Sequence, residues 1–244
     1  MNSRDVVIIG GGITGASIAR VLSRYKLSVA LLEKEEELSF GVSKSNSGII
    51  HPGTQHSANS LKGRLCVQGN ILTRRISNEL GVDFKETGEL IVAFNQDEAG
   101  RLPELKEEAE RLGVPGLRIV DKNWLQENEP NLSGEALAAL YSPTAGIISP
   151  YRMVYALGEN AARNGIEIFT GCKVQNITGN TSYFEIITPK AVFKAKFVIN
   201  AAGLYADEIS RMAGINSFKI KPRKGQEFIL DKKRENLANH LLFP

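Results

Sequence analysis

Apolar positions along the chain repeat with two different periods, and the changes from one to the other mark out its elements. Asp5–Ile9 ends in a β-branched run, the pattern of a buried parallel strand. Gly10-Gly11-Gly12 interrupts it. From Ile13 to Tyr25 apolar residues return at helical spacing, at Ile13, Ala16, Ala19, Val21 and Leu22. Leu27–Leu32 is a second apolar strand and stops on Glu33. Strand, glycine turn, helix and strand in this order predict a βαβ unit.

The same reading predicts a helix over about 60–80, with Leu61, Leu65, Leu72, Ile76 and Leu80 on one face. "DFKETGELIVAF" (83–94), with a central glycine between strand-forming residues, predicts a hairpin, and 96–112 a charged amphipathic helix. Two short strands are expected within 137–148, around "SPTAG". Ser149-Pro150 supplies an N-cap and a first-turn proline for a helix to about 164. "GIEIF" and "KAKFVINAAG" read as strands, with a hairpin at about 174–194 between them, and "KIKPRKGQEFILD" (219–231) as a last strand. Runs of the buried parallel type near 5–10, 28–33, 166–170 and 196–200 are thus separated by hairpin-like pieces at 83–94, 137–148 and 219–231. That alternation predicts an α/β fold of two interleaved domains: a Rossmann-like domain with a central parallel sheet from 1–80 and 147–215, and a smaller α+β domain from 81–146 and 216–244.

Composition narrows the partners. The 244 residues are 42% hydrophobic and 23% charged, with a formal net charge of +3. So balanced a charge argues against nucleic acid as a partner. No apolar run approaches the ~20 residues that would span a bilayer. Cys66 and Cys172 stand far apart, without CxxC or histidine at ligand spacing, so neither a disulfide framework nor a metal site is expected and a cytoplasmic setting is.

Two motifs carry chemistry. Gly10-Gly11-Gly12-Ile13-Thr14-Gly15 contains G-x-G-x-x-G with a strand before it, a helix opening at its end and an acidic residue, Glu33, closing the next strand. Gly10 allows the tight turn, Gly12 lets a pyrophosphate approach the backbone, and Gly15 lets helix and strand pack closely. The helix N-terminus would offer its amides to the phosphates, and Glu33 would accept the ribose hydroxyls. In "FVINAAGLYADEI" a strand ends on Asn200, and Ala201-Ala202-Gly203 turn into a helix. Small residues there would let a cofactor pass, although an ordinary strand–helix turn has the same composition. After Glu33 the chain enters a Ser/Gly/Asn-rich loop and does not continue strand–helix–strand, which favours FAD over NAD.

These stretches, together with "SKSNSGIIHPG", "EPNLSG", "AGIISPYRM" and "KPRKGQEFILD", resemble the FAD-dependent oxidoreductases of the D-amino-acid-oxidase superfamily. Within it, the resemblance is greatest to the anaerobic-type glycerol-3-phosphate dehydrogenases, with the L-2-hydroxyglutarate oxidases close by. It implies FAD as cofactor and a small anionic hydroxy compound as substrate, oxidised by hydride transfer to flavin. Gly10, Gly12, Ile13, Thr14 and Gly15 would hold the pyrophosphate, and Glu33 with Lys34 the ribose. Ser43, Ser45, Asn46 and Ser47 would line the pyrophosphate and ribityl chain. Gly48, Ile50 and His51 would run along the flavin ring, Val174 would offer its backbone to adenine, and Ala201, Ala202 and Gly203 would pass beside the cofactor.

His51 is the candidate proton-handling group, and Arg223 and Lys224 are candidates for the substrate anion; a structural histidine and solvated charges are the alternatives. Aerobic relatives carry H-G-G-L-R-Y and K-G-S-H where this chain has His51-Pro52-Gly53-Thr54-Gln55-His56 and Lys224-Gly225-Gln226-Glu227. The family pattern continues past Pro244. The chain is therefore expected to be the N-terminal part of such an enzyme, completed by a second subunit or a downstream polypeptide, or else a non-catalytic nucleotide-binding fragment.

Overall fold

A computed structural model describes residues 2–180 and 182–244. In chain order its elements are β1 (Asn2–Ile9), α1 (Ile13–Leu22), β2 (Val29–Leu32), β3 (Ile49–Ile50), α2 (Leu61–Leu80), β4 (Phe84–Glu86) and β5 (Glu89–Ala93). There follow α3 (Gln96–Arg111), β6 (Arg118–Asp121), α4 (Lys122–Asn128), β7 (Ala138–Ser142), β8 (Gly146–Ile148) and α5 (Pro150–Arg163). The last are β9 (Glu167–Phe169), β10 (Asn176–Gly179), β11 (Phe184–Ile187), β12 (Val192–Asn200), α6 (Ala206–Met212) and β13 (Leu241–Phe243). They form two compact units: residues up to Asn46 with Ser149–Gln226, and Ser47–Ile148 with Glu227–Pro244.

The first unit is α/β. Its six-stranded sheet has the order β10-β11-β12-β1-β2-β9, with β12, β1, β2 and β9 parallel and β10 and β11 an antiparallel extension. Strand alternation gives the sheet two apolar faces. Val7, Ile9, Ala30 and Leu32 pack with Phe193, Ile186 and Ile209 of α6. The intervening Val6, Ile8, Val29 and Leu31 are buried too, on the face where α1 packs against β1, β2 and α5. Four parallel strands place the carboxyl ends of β1 and β2 side by side, where Gly10 and Glu33 lie.

The amino edge of this sheet carries a charge cluster. Asp5 pairs with Lys196 at 2.8 Å and accepts from the Ser28 amide and hydroxyl, each at 2.9 Å. Lys196 first, then Ser28, lower its carboxyl from the ordinary 3.8 to about 2. A depressed folded-state value stabilises the fold above pH 3.8, and that contribution is lost as pH falls toward 2. A carboxyl-carbon NMR titration is expected to show Asp5 with its midpoint near 2, rising toward 3.8 in Lys196→Met; identical midpoints would remove the pair from the account.

The second unit holds a four-stranded sheet, β13-β5-β7-β6, and a three-stranded one, β3-β8-β4. One apolar cluster joins Val67 of α2 to Leu102 and Ala109 of α3, Val114 and Leu140. Another packs Leu125 of α4 on Leu90, Val92, Val120 and Ala139.

Several expectations are corrected here. Residues 47–80 group with the second unit, because β3 pairs with β8 and Val67 lies in that unit's core. Residues 216–226 group with the first, where the Ile220 amide donates to Asp207 at 3.2 Å. Residues 83–94 are not a hairpin: β4 pairs with β8 and β5 with β7, in different sheets. The chain changes sheet at Thr87-Gly88, whose amides both donate to Ala145 O, so the partner is a strand 50-odd residues on rather than the local neighbour.

On α2 the leucine face is not the buried one. Leu61, Leu65 and Leu72 are exposed, while Gly63, Val67, Asn70 and Ser77 face inward. Asn70 and Arg74 are turned in because they hydrogen-bond the Thr144 carbonyl at 2.8 and 2.9 Å, and buried carbonyls need donors. Residues 219–231 form no strand, and Phe228 and Ile229 are each 97% exposed. The last strand is instead β13, paired with β5.

Candidate functional site

Two groups of residues deserve a chemical reading, one in each unit. In the first unit β1 ends at Ile9 and the chain turns at Gly10, whose φ of 113° is open to glycine alone. A Cβ on Gly10 would come within 2.4 Å of the Ala201 carbonyl oxygen, and one on Gly15 within 1.9 Å of the Gly10 carbonyl oxygen. Both contacts are backbone against side chain, so neither can relax by a rotamer change. The Ala201 amide in turn donates to Ile9 O at 2.9 Å, which draws the Ala201-Ala202-Gly203 turn against Gly10. Thr14 lies in the first turn of α1, a helix with no side-chain cap.

Two side chains brace this turn. Glu33, buried at 8% exposure, accepts from the Gly11 amide at 2.6 Å and from the Glu35 amide at 2.9 Å. Its oxygens thus already fasten the glycine turn to the end of β2, and only their remaining lone pairs could meet a ribose. The Ser43 hydroxyl accepts from the Ile13 amide at 2.9 Å and would touch a Gly12 Cβ at 3.0 Å. Asn46 closes its own loop by donating to Val42 O and Ser43 O, at 3.1 and 3.0 Å, and Ser45 lies exposed within it.

Lys34 stands 3.9 Å from the Tyr205 ring centre and 3.1 Å from Glu35. Partial burial works against its charge, but Glu35 and Tyr205 outweigh that and raise its pKa. Val174 has its side chain in the sheet core. Arg223 and Lys224 lie in exposed coil, without the strand that would have aimed them.

The second group lies in the other unit and centres on Glu89, the first residue of β5. Its side chain is fully buried. Its oxygens meet the Thr54 hydroxyl, which donates to Oε1, and His51 Nδ1, 3.3 Å from Oε2. His51 follows β3, and its side chain is 39% exposed. Its carbonyl accepts from Asn70 at 3.3 Å and the Cys66 thiol at 3.6 Å, and its ring lies 5.4 Å from that of Phe243. Burial, then the Glu89 charge, pushes the Cys66 thiol up, which leaves it a poor nucleophile. Ser142, opposite Glu89 in the β5–β7 ladder, is buried with a hydroxyl that lacks a hydrogen-bond partner among the described residues. Ser47 is exposed, while Gly48 is buried and accepts from the Ile148 amide at 2.9 Å; Ile50 pairs with Gly146.

Glu89 and Thr54 were not legible as site residues. The one available signal was an acidic residue opening the apolar run "ELIVA".

A parallel sheet with a glycine turn at the carboxyl end of its first strand, and a backbone-to-backbone fit at Gly10 and Gly15, defines a dinucleotide-binding α/β protein. Residues 5–244 match the FAD dependent oxidoreductase (DAO) family, and the chain belongs to it. It is 44% identical over 239 residues to a glycerol 3-phosphate dehydrogenase of Caloramator mitchellensis, covering 98% of this chain and 50% of that protein. It is 35% identical to a mitochondrial L-2-hydroxyglutarate dehydrogenase of Nematostella vectensis, covering 98% and 56%. Among solved structures it resembles L-alpha-glycerophosphate oxidase of Mycoplasma pneumoniae with FAD bound: TM-score 0.88, 28% identity, all of this chain and 65% of that one. The chain spans about half the length of the curated relatives it matches. No helix among the described residues is long and apolar enough to cross a membrane.

Proposed function

We propose that this chain forms the FAD-holding part of a cytoplasmic flavin-dependent dehydrogenase that oxidises glycerol 3-phosphate to dihydroxyacetone phosphate. The observation that carries the reading is the turn at Gly10–Gly15, where absent side chains let a pyrophosphate approach the backbone at the start of α1, whose N-cap residue Gly12 has no side chain to occupy that place. Gly10, Gly12, Ile13, Thr14 and Gly15 are assigned to the pyrophosphate, and Glu33 to the adenosine ribose. Lys34, Ser43, Ser45, Asn46, Ser47, Gly48, Ile50, the Val174 backbone and Ala201–Gly203 are assigned to the rest of the cofactor. FAD bound by these residues would supply the hydride acceptor for oxidation of the alcohol carbon. His51 is assigned to accept the hydroxyl proton, since a neutral imidazole keeps one ring nitrogen free for it. Arg223 and Lys224 are assigned to the substrate anion.

The relative at 44% identity supports glycerol 3-phosphate. The hydroxyglutarate dehydrogenase at 35% supports a second reading, oxidation of a 2-hydroxy acid. The third reading is a FAD- or nucleotide-binding fragment without catalysis.

One experiment separates them. Reconstituted with FAD and passed through gel filtration, the chain is expected to keep the flavin absorbance and to bleach anaerobically with glycerol 3-phosphate. Bleaching by 2-hydroxyglutarate alone selects the second reading, and retained flavin that neither compound bleaches selects the third. A chain that takes up no FAD overturns the first two, and one that binds neither FAD nor ADP overturns all three.

A further inference from the structure

We propose that Glu89 is a positioning residue: its buried carboxylate holds the His51 imidazole as the Nδ1–H tautomer and so directs the Nε2 lone pair outward as the proton acceptor. The inference rests on the assignment of His51 to proton transfer made above. A carboxylate buried away from water must find donors or stay protonated. Glu89 has two partners, the Thr54 hydroxyl on one oxygen and His51 Nδ1 on the other. It faces no lysine or arginine ion pair among the described residues, so its second oxygen depends on the imidazole N–H.

The rest of the surroundings fixes the ring in place. The His51 carbonyl is held by Asn70 and Cys66, one flank of the ring lies against Phe243, and the side chain is 39% exposed on a ring whose Nδ1 faces the buried Glu89. Which ring nitrogen keeps its proton is decided by the partner of the other, and a carboxylate on Nδ1 leaves Nε2 as the base. Imidazole in water prefers the opposite tautomer, Nε2–H. An unconstrained His51 would therefore present a donor where the reaction needs an acceptor. Thr54 completes the arrangement by saturating the other oxygen and setting the carboxylate's orientation.

The test reads the ring directly, without cofactor or substrate. The chain has three histidines, so ring-nitrogen NMR of the 15N-histidine-labelled protein at alkaline pH is tractable, with His51→Asn assigning the signal. Wild type is expected to show His51 with the proton on Nδ1. Glu89→Leu, which fills the buried space with an apolar side chain, is expected to return the majority to Nε2–H, while Thr54→Val leaves Nδ1–H dominant. An Nε2–H ring in wild type overturns the proposal, and this outcome needs no variant to fold. The same tautomer in wild type and a folded Glu89→Leu overturns it as well. In the active assembly, Glu89→Leu is expected to lower kcat at least tenfold with KM little changed; a change in KM alone overturns the positioning role. Failure of glycerol 3-phosphate to bleach the flavin, with the tautomer switch intact, counts against the substrate assignment and leaves the Glu89–His51 pair standing.

Discussion

Gly15→Val is expected to lose nucleotide binding and to unfold well below the wild-type temperature. The Cβ alone would sit 1.9 Å from the Gly10 carbonyl oxygen, so α1 and β1 must part before any side chain is accommodated. Overpacking typically costs about 1–3 kcal/mol, and a clash with backbone that no rotamer relieves belongs at the upper end, about 3 kcal/mol. For a chain of this size that is roughly 6–12 °C in Tm, at about 2–4 °C per kcal/mol. Parting the two elements also moves the amides at the start of α1. FAD affinity is therefore expected to fall by a factor larger than the stability loss explains, measured by flavin fluorescence at a temperature where both proteins are folded. A variant with unchanged Tm and affinity would show that α1 does not pack on β1 as described. Glu33→Arg, the obvious test of a ribose contact, is a poorer one. The Glu33 oxygens accept from the Gly11 and Glu35 amides, so that substitution breaks the turn as well as any ligand contact.

The second large effect is expected far from the glycine turn. Glu129, almost wholly buried, accepts from the Asn239 amide at 2.9 Å, the His240 amide at 2.6 Å and the His240 ring at 2.7 Å. It thereby fastens the segment that leads into β13, and β13 pairs with β5 next to Glu89. Glu129→Ala leaves the Asn239 and His240 amides and the His240 ring without their acceptor, and at about 1–3 kcal/mol for each unsatisfied donor the loss is about 3–5 kcal/mol. Loss of roughly 6–20 °C in Tm is expected, with early proteolytic cleavage in the 231–240 region. Phe243 would then leave the His51 ring, so the histidine's ring-proton resonances are expected to shift even where the rest of the unit is intact. Resonances and cleavage pattern identical to wild type would show that β13 is held by its strand pairing alone.

Much of the first unit was legible because its signals are local. A β-branched run, three glycines, a helical period and a terminal glutamate lie within 33 residues, and each constrains its neighbours by sterics alone. The parallel strands announced themselves because a strand buried on both faces must be apolar throughout. What failed had a long-range cause. "DFKETGELIVAF" has the composition of a hairpin, but its two halves pair with β8 and β7, because an antiparallel ladder is available there and the turn at Gly88 allows a change of sheet. Periodicity drew the apolar face of α2 on its leucines, whereas burial went to Val67, Asn70 and Ser77, with the Asn70 amide donating to the Thr144 carbonyl.

The site divides in the same way. The G-x-G-x-x-G turn, Glu33 and the family itself follow from the order of residues, since each requirement is met by neighbours in the chain. Only tertiary structure joined Glu89 to His51, 38 positions apart, and Glu129 to His240, 111 apart. A buried carboxylate must be paired, but nothing in local sequence says with what. The partner is chosen by the fold that brings a donor to it.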